Sequence, residues 1–399
     1  MLGDAKPGNS ARAMVMSAKP SLLYITPVIP ALTGNGLAMR AGTVLEVLAG
    51  RYDVNLLVVP LYAPVTPRIP EPLEKLCRRA AIVSPRPQRR GWFRPAALWG
   101  DFRFDVVHVF RLAMVPFSEP YLRRFFRRPQ RHLDLDDIES ITRRRLSALY
   151  RQNGDGAMAA REESEATQSE KLENAALRRF DRVYVCSDAD RRKLEGRTRG
   201  QVCVLPNGVR MPSDVPARSA DGPFTFLFVG TLGYYPNEDG VRYLCAEIVP
   251  RIRELAGRGF VVNVAGTGAS ESLRQAASVP QVRFLGAVPD LYPWYAQSDA
   301  IVAPVRAGGG TRIKILEAFS FQRPVVATSI AMEGIEARAE EHVVIGDTPA
   351  VFAQQCARLM FDRELRDRLA QNALALLLHS YTIQSLQRAH DEMDYRDLR

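Results

Sequence analysis

The stretch that decides the architecture is AIVAPVRAGGGTRIKILEAFSFQRPVVATS, residues 300–329. An apolar, strand-like run enters three consecutive glycines, Gly308, Gly309 and Gly310; residues 311–321 then read as a helix and PVVATS as the next strand. In an open parallel sheet, ligands bind outside the carboxyl ends of the strands, and the free amides of a helix N-terminus suit an anionic phosphate. Glycines at that turn let the ligand approach the backbone closely. On the helix, Arg312 and Lys314 add positive charge at the phosphate end, and Glu317 sits about one and a half turns in, where a carboxylate can accept two ribose hydroxyls. The set describes a nucleoside diphosphate pocket. On spacing alone, the same three residues also read as two solvated cations and their helical ion-pair partner.

Working outward, the same alternation of strand and helix fills the chain. SLLYIT, the glycine loop TGNG and the helical LAMRAGTVLEVLAGRY open it; DVNLLVVPLY, DVVHVF, RHLDLDD and VYVCS give further strands, with a polar helix over 161–180. A second series runs through FTFLFVG, FVVNVAG, VRFLG, AIVAPV, PVVATS and HVVIGD, then turns helical from Pro349. Its strands are continuous apolar runs, as expected when helices cover both faces of a parallel sheet. Between the series lies LPNGVRMPSDVPARSADGP, rich in turn residues and without periodicity. The expected organisation is a loose leader over 1–18, an N-terminal α/β domain over 19–205, a linker over 206–223, a C-terminal α/β domain over 224–375 and a helical tail over 376–399.

Composition narrows the function. A chain of 399 residues is long enough for two domains. At 46% hydrophobic and 25% charged it reads as globular, with no run of about 20 apolar residues to span a membrane and no apolar stretch typical of a secretory signal. The expected location is cytoplasmic. The five cysteines lack CxxC spacing and the five histidines form no metal-binding pattern, so neither a disulfide framework nor a metal site is expected. The net charge of +10 is concentrated in residues 78–131, where thirteen arginines face only Asp101, Asp105 and Glu119. TGNGLAMR has Met39, and GTGASE has Glu271, where a dinucleotide fingerprint requires its third glycine, which disfavours NAD enzymes.

GGGTRIKILEA resembles the donor-binding signature of family 4 of the retaining glycosyltransferases, in a subgroup that replaces the family's Glu-x7-Glu loop. Glu317, in LEAF, matches the second glutamate, on the ribose; Gly309 stands where the first would lie near the transferred sugar. FLFVGTLGYYPNEDGVRYL (226–244) resembles the first C-domain strand and turn, with Asn237 a cap for the following helix and Thr231 in place of a basic pair near the pyrophosphate. GAVPDLYPWYAQSD resembles the segment whose backbone near Val288 reads the base, and VLPNGV the interdomain join. The resemblance implies a GT-B fold: two Rossmann-like, doubly wound domains facing each other across a cleft. It also implies transfer of a sugar from a UDP- or GDP-sugar to an acceptor hydroxyl with retention, without a metal or other cofactor.

Three further features then find places. Gly34 and Gly36, at the first strand-to-helix turn, border the donor phosphates in the resemblance, or form merely a tight turn. In LDLDD, Asp136 or Asp137 occupies the strand end where many relatives carry an active-site histidine; the alternatives are a loop-capping role or metal binding by Asp134 and Asp136. His108 reads as a satisfied strand-end histidine. YLRRFFRRPQR (121–131) and RRGWFRP (89–95) read either as a solvated arginine face or as a docking surface for anionic lipid, which would bring a lipid-linked acceptor within reach and make the protein peripheral at the inner membrane face. Nucleic acid is not an expected partner.

The expected catalytic residues are Arg312, Lys314 and Asp136, and the expected donor contacts are Gly34, Gly36, Thr231, Val288, Gly309, Gly310, Thr311 and Glu317. The expected role is in synthesis of surface polysaccharide, glycolipid or another glycoconjugate. A sugar-nucleotide epimerase of the same fold and a non-catalytic nucleotide-sugar-binding protein are the alternatives.

Overall fold

The computed structural model describes residues 19–61, 68–83, 98–99, 103–122, 128–215, 222–257 and 259–396. The leader over 1–18, the RRGWFRP segment and the centre of YLRRFFRRPQR lie outside them. Two all-parallel sheets organise the chain. The first contains β1 (Ser21–Thr26), β2 (Asp53–Val58), β3 (Cys77–Ile82), β4 (Val106–Phe110), β5 (Gln130–Asp136), β6 (Arg182–Val185) and β7 (Gln201–Val204), in the order β3-β2-β1-β4-β5-β6-β7. The second contains β8 (Phe224–Val229), β9 (Phe260–Ala265), β10 (Val282–Gly286), β11 (Ala300–Ala303), β12 (Val325–Ala327) and β13 (Val344–Ile345), in the order β10-β9-β8-β11-β12-β13. Each order reverses direction once, between β1 and β4 and between β8 and β11, which is the doubly wound pattern with its ligand crevice at the reversal.

The apolar runs are buried on both faces, as their composition predicts. Phe224, Phe226 and Phe228 point into one layer of the second domain; Leu227, Val229, Ile301 and Ala303 point into the other, against the Ile313–Ser320 helix. In the first domain, Leu23, Ile25, Val107 and Val109 fill one layer, and Leu22, Tyr24, Val106 and Phe110 the other.

Several local expectations change. The helix after the glycines runs over Ile313–Ser320, so Thr311 and Arg312 lie before it and Arg312 occupies its N-cap position. The polar helix is Gly156–Leu177, and a second one, Glu139–Gln152, precedes it; its arginines obscure the apolar stripe in the sequence. β3 was not expected, because Arg78 and Arg79 interrupt its apolar run, a pattern an edge strand tolerates. Asn237 is not a cap: the helix starts at Tyr235, and the Asn237 amide donates to the Thr231 carbonyl at 3.0 Å.

The expected break at 375/376 falls inside the continuous Arg363–Ser380 helix, because Ala373 and Leu377 belong to one buried stripe beside the Ile313–Ser320 helix. The chain then returns to the first domain. Tyr381 and Thr382 run alongside Val209, whose amide donates to the Tyr381 carbonyl at 2.9 Å, and the Ile383–Arg396 helix packs on Gly36–Arg51 with Leu386 in the first core. Arg40, 1% exposed, pins the outgoing crossover: it donates to Asp134 at 2.9 Å and to the Leu205 and Pro206 carbonyls at 2.7 Å.

His108 and His132 are fully buried, packed edge-on to each other and against Tyr184. Burial pushes both well below the ordinary imidazole value, His390 adding to the effect on each, so they are neutral in the fold. The unfolded chain binds protons at these sites below about pH 6.5 and the folded chain does not. Stability is therefore insensitive to these groups above that value and falls as the pH drops through it, by up to about 1.4 kcal/mol per pH unit for each histidine. Thermal unfolding between pH 8 and 5 checks this, and a midpoint that stays level across the range contradicts it.

Candidate functional site

The reversal points of the two sheets face each other across a cleft of about 880 Å³. The four strands at the two reversals each send their carboxyl ends there: Gly34 to Gly36 after β1, Arg111 after β4, Gly230 and Thr231 after β8, and Gly309 to Thr311 after β11. Gly34 adopts φ +98°, open to glycine, and Asn35 caps the following helix by accepting from the Leu37 amide at 2.9 Å. A Cβ on Gly36 would lie 3.7 Å from Ile313 Cδ1, so the first turns of the Gly36–Arg51 and Ile313–Ser320 helices, one from each domain, approach each other with room for about a methyl group between them. The Tyr235–Tyr243 helix brings a third N-terminus to the same wall. Helix N-termini carry about half a positive charge each, so this convergence favours an anion.

The side chains sharpen that preference. Lys314 is held over the Phe228 ring, 4.5 Å from its centroid, and donates to Asn237 Oδ1 at 2.8 Å. Burial, with the neighbouring Arg312 charge, pushes its ammonium down to about 7. Glu317, one turn further on, accepts from the Tyr295 hydroxyl at 3.0 Å, and burial pushes its carboxyl up to about 7 against that hydrogen bond and the Lys314 charge. Both groups hold their charges at a cost, which an incoming anion near Lys314 and hydroxyls near Glu317 would relieve. Arg312 is used differently: Nη1 donates to the Gly309 carbonyl and, at 2.6 Å, to that of Gly310, bracing the glycine turn, while its buried Nη2 has no hydrogen-bond partner.

The opposite wall comes from the end of β5. Arg111 and Asp136 both adopt left-handed backbone conformations, φ +75° and +62°, each costing about 1–3 kcal/mol. The two consecutive carboxylates, Asp136 and Asp137, both close on the Arg111 guanidinium. Asp136 accepts from Arg111 at 3.2 Å and from the Cys186 thiol at 3.3 Å, and burial raises its pKa despite Arg111. Asp137 accepts from Arg111 on Oδ1 and from the Thr142 hydroxyl on Oδ2 at 3.1 Å. A Cβ on Gly309 would overlap Thr142 Oγ1 and lie 3.0 Å from Asp137 Oδ2, so only glycine fits there while this wall is in place. Asp134 is buried against Arg40 and does not join the cleft. Among the described residues, no group of three or more His, Cys, Asp or Glu could hold a metal ion.

Two clasps join the domains beside the cleft. Arg145 donates to both oxygens of Glu333, with Nη2 at 3.0 Å, and to the Gly308 carbonyl at 3.0 Å, while Lys193 reaches Glu333 at 2.7 Å. These donors hold the Glu333 carboxyl down at about 2 although burial pushes it up. At the other edge, Tyr150 stacks on Tyr235 at 3.8 Å, and Asn153 donates to Asp239, itself paired with Arg306.

Every residue expected from the sequence lines this cleft: Arg312, Lys314, Asp136, Gly34, Gly36, Thr231, Val288, Gly309, Gly310, Thr311 and Glu317. Sequence reasoning missed Arg111, Thr142 and Tyr150, which line it too, and read Asn207 only as part of the VLPNGV join and Tyr234 only as part of the turn after the first C-domain strand. Arg111 was findable, since it directly follows the apolar strand DVVHVF. Thr142 and Tyr150 lie in no motif. Among the clustered arginines, Arg79 donates to the Trp99 carbonyl and Arg131 pairs with Asp181, so with Arg111 these are engaged within the fold.

Comparison with known proteins adds the following. Residues 223–362 match the family model described as "Glycosyl transferases group 1". The fold is similar to that of sucrose-phosphate synthase from Thermosynechococcus elongatus, with TM-score 0.70 and 15% identity over 95% of this chain and 99% of that one. It is also similar to Anabaena HepE solved with UDP and glucose, with TM-score 0.65 and 14% identity over 94% and 100% of the two chains. Among curated proteins, an uncharacterized 44.6 kDa protein in the cps region of Klebsiella pneumoniae is 24% identical over 192 residues, 44% of this chain. The chain spans about half of that relative, 48% of its length.

Proposed function

From the premise that the chain carries a group 1 glycosyltransferase domain on a GT-B frame, we propose that it moves a sugar from a nucleotide-sugar donor to an acceptor hydroxyl, with retention, in the synthesis of a surface polysaccharide or related glycoconjugate. The observation that carries this reading is the meeting of helix N-termini from both domains beside Lys314 and Glu317. The diphosphate lies on the glycine-turn amides and Lys314, with Glu317 accepting the ribose hydroxyls. The acceptor enters from the wall bearing Asp136. Transfer depends on positioning and on stabilising the departing diphosphate as its negative charge grows, so no covalent nucleophile takes part. The Klebsiella relative's cps-region origin and the UDP in the HepE structure support a surface-polysaccharide role and make UDP-sugars the first donors to test. No described helix is long and apolar enough to cross a membrane, and a lipid-linked acceptor would be met at the arginine-rich segment.

Incubation with UDP- and GDP-sugars tests the reading through release of the diphosphate. A transferase releases it slowly by hydrolysis and faster with acceptor; a non-catalytic binder releases none, and an epimerase changes the sugar instead. Donor binding should peak near pH 7. It falls at lower pH as Glu317 takes up a proton and at higher pH as Lys314 loses one, the two apparent values belonging to the pair. Binding that is level from pH 5.5 to 8.5 contradicts these roles.

A further inference from the structure

Resting on the donor-site reading above, we infer that Asp137 reads the hydroxyl groups of the transferred sugar. Its side chain is 14% exposed and lines the cleft. A carboxylate offers about four acceptor positions, and the two hydrogen bonds from Arg111 and Thr142 leave capacity for further donors. Arg111 compensates its charge, so the carboxylate can stand beside a diphosphate without strong repulsion.

Its position follows from the glycine turn. Asp137 Oδ2 lies 3.0 Å from where a Gly309 Cβ would be, and Asp137 Cβ lies 3.4 Å from the corresponding point on Gly310. The carboxylate is thus packed against the turn whose amides take the diphosphate. In a nucleotide sugar the pyranose is bonded directly to the outer phosphate, so a phosphate on this turn brings ring hydroxyls to Asp137. The left-handed turn at Asp136 enforces the placement, with the Asp137 amide donating to the Leu135 carbonyl at 2.7 Å. A second acceptor stands in the same cleft: Asn207 is 2% exposed, its amide donates to Thr311 Oγ1 at 2.5 Å, and its Oδ1 has no partner. Acceptors without matching donors select a ligand portion rich in hydroxyl groups.

Calorimetry with UDP, UDP-glucose, GDP and GDP-mannose, on the wild type, Asp137→Ala and Asp137→Asn, tests the assignment. The variants should bind the free diphosphate at least as tightly as the wild type does, which also reports an intact fold. They should lose about 10- to 100-fold in affinity for the matching nucleotide sugar. A purely structural role would weaken both ligands together and overturns the assignment. So does a variant that keeps the wild-type preference for the nucleotide sugar, or a wild type with no such preference. A wild type that binds neither diphosphate contradicts instead the donor-site reading beneath it.

Discussion

Lys314→Met should lower the rate of sugar transfer at saturating donor by about 100- to 1000-fold, in addition to a smaller loss of donor affinity from the same missing charge. Lys314 sits in the first turn of the Ile313–Ser320 helix, fixed by Asn237 and by the face of Phe228, a cation–ring contact worth about 0.5–2 kcal/mol. It is therefore preorganised, and burial has already weakened its hold on the proton. Charge that grows on the leaving diphosphate restores that hold, so the interaction strengthens along the reaction and accelerates it. Arg312→Ala should behave differently. Its Nη1 braces the Gly309 and Gly310 carbonyls, so removing it loosens the turn and weakens donor binding as well as turnover. Single-turnover rates at saturating donor separate the two cases, and a Lys314→Met protein with near-normal turnover places the leaving-group charge elsewhere in the cleft.

The features legible in the sequence were those set by local periodicity and by glycine. The continuous apolar strands announced two parallel sheets, and GGGTRIKILEA announced an anion site before any contact was known. What the sequence hid depends on the other domain. Gly309 reads as one of three flexible residues, yet its lack of a side chain is required by Thr142 and Asp137 reaching across from the end of β5. Arg312 reads as a free cation, yet its first nitrogen is consumed by its own turn. Arg40, four residues after Gly36 of the TGNG loop, is locked between Asp134 and the crossover. Tyr150 and the C-capping Asn153 sit at the end of a helix whose arginine-rich text conceals its docking on the opposite domain. Pairings of this kind link residues some 80 to 190 positions apart, such as Asn153 with Asp239 and Arg145 with Glu333, and leave no periodic trace.

The second large effect concerns Glu317. Its carboxylate stands one turn inside the helix that receives the diphosphate, held by Tyr295 from behind, and burial makes it a reluctant anion until hydroxyl donors arrive. Each charge-assisted hydrogen bond to a ribose hydroxyl contributes about 1.5–3 kcal/mol, so Glu317→Ala should weaken nucleotide binding by about 10-fold or more per bond lost. The helix should persist, since Ile315, Leu316 and Phe319 carry its packing. Because the base and ribose are bound in the ground state, this defect should appear in donor affinity rather than in turnover at saturation, the reverse of Lys314→Met. Titration of UDP and GDP into the wild type and Glu317→Ala by calorimetry measures the claim directly. One of the diphosphates should bind saturably at one site per chain and lose at least tenfold in affinity in the variant, whereas binding of neither, or equal binding by both proteins, would contradict a nucleotide-sugar site in this cleft.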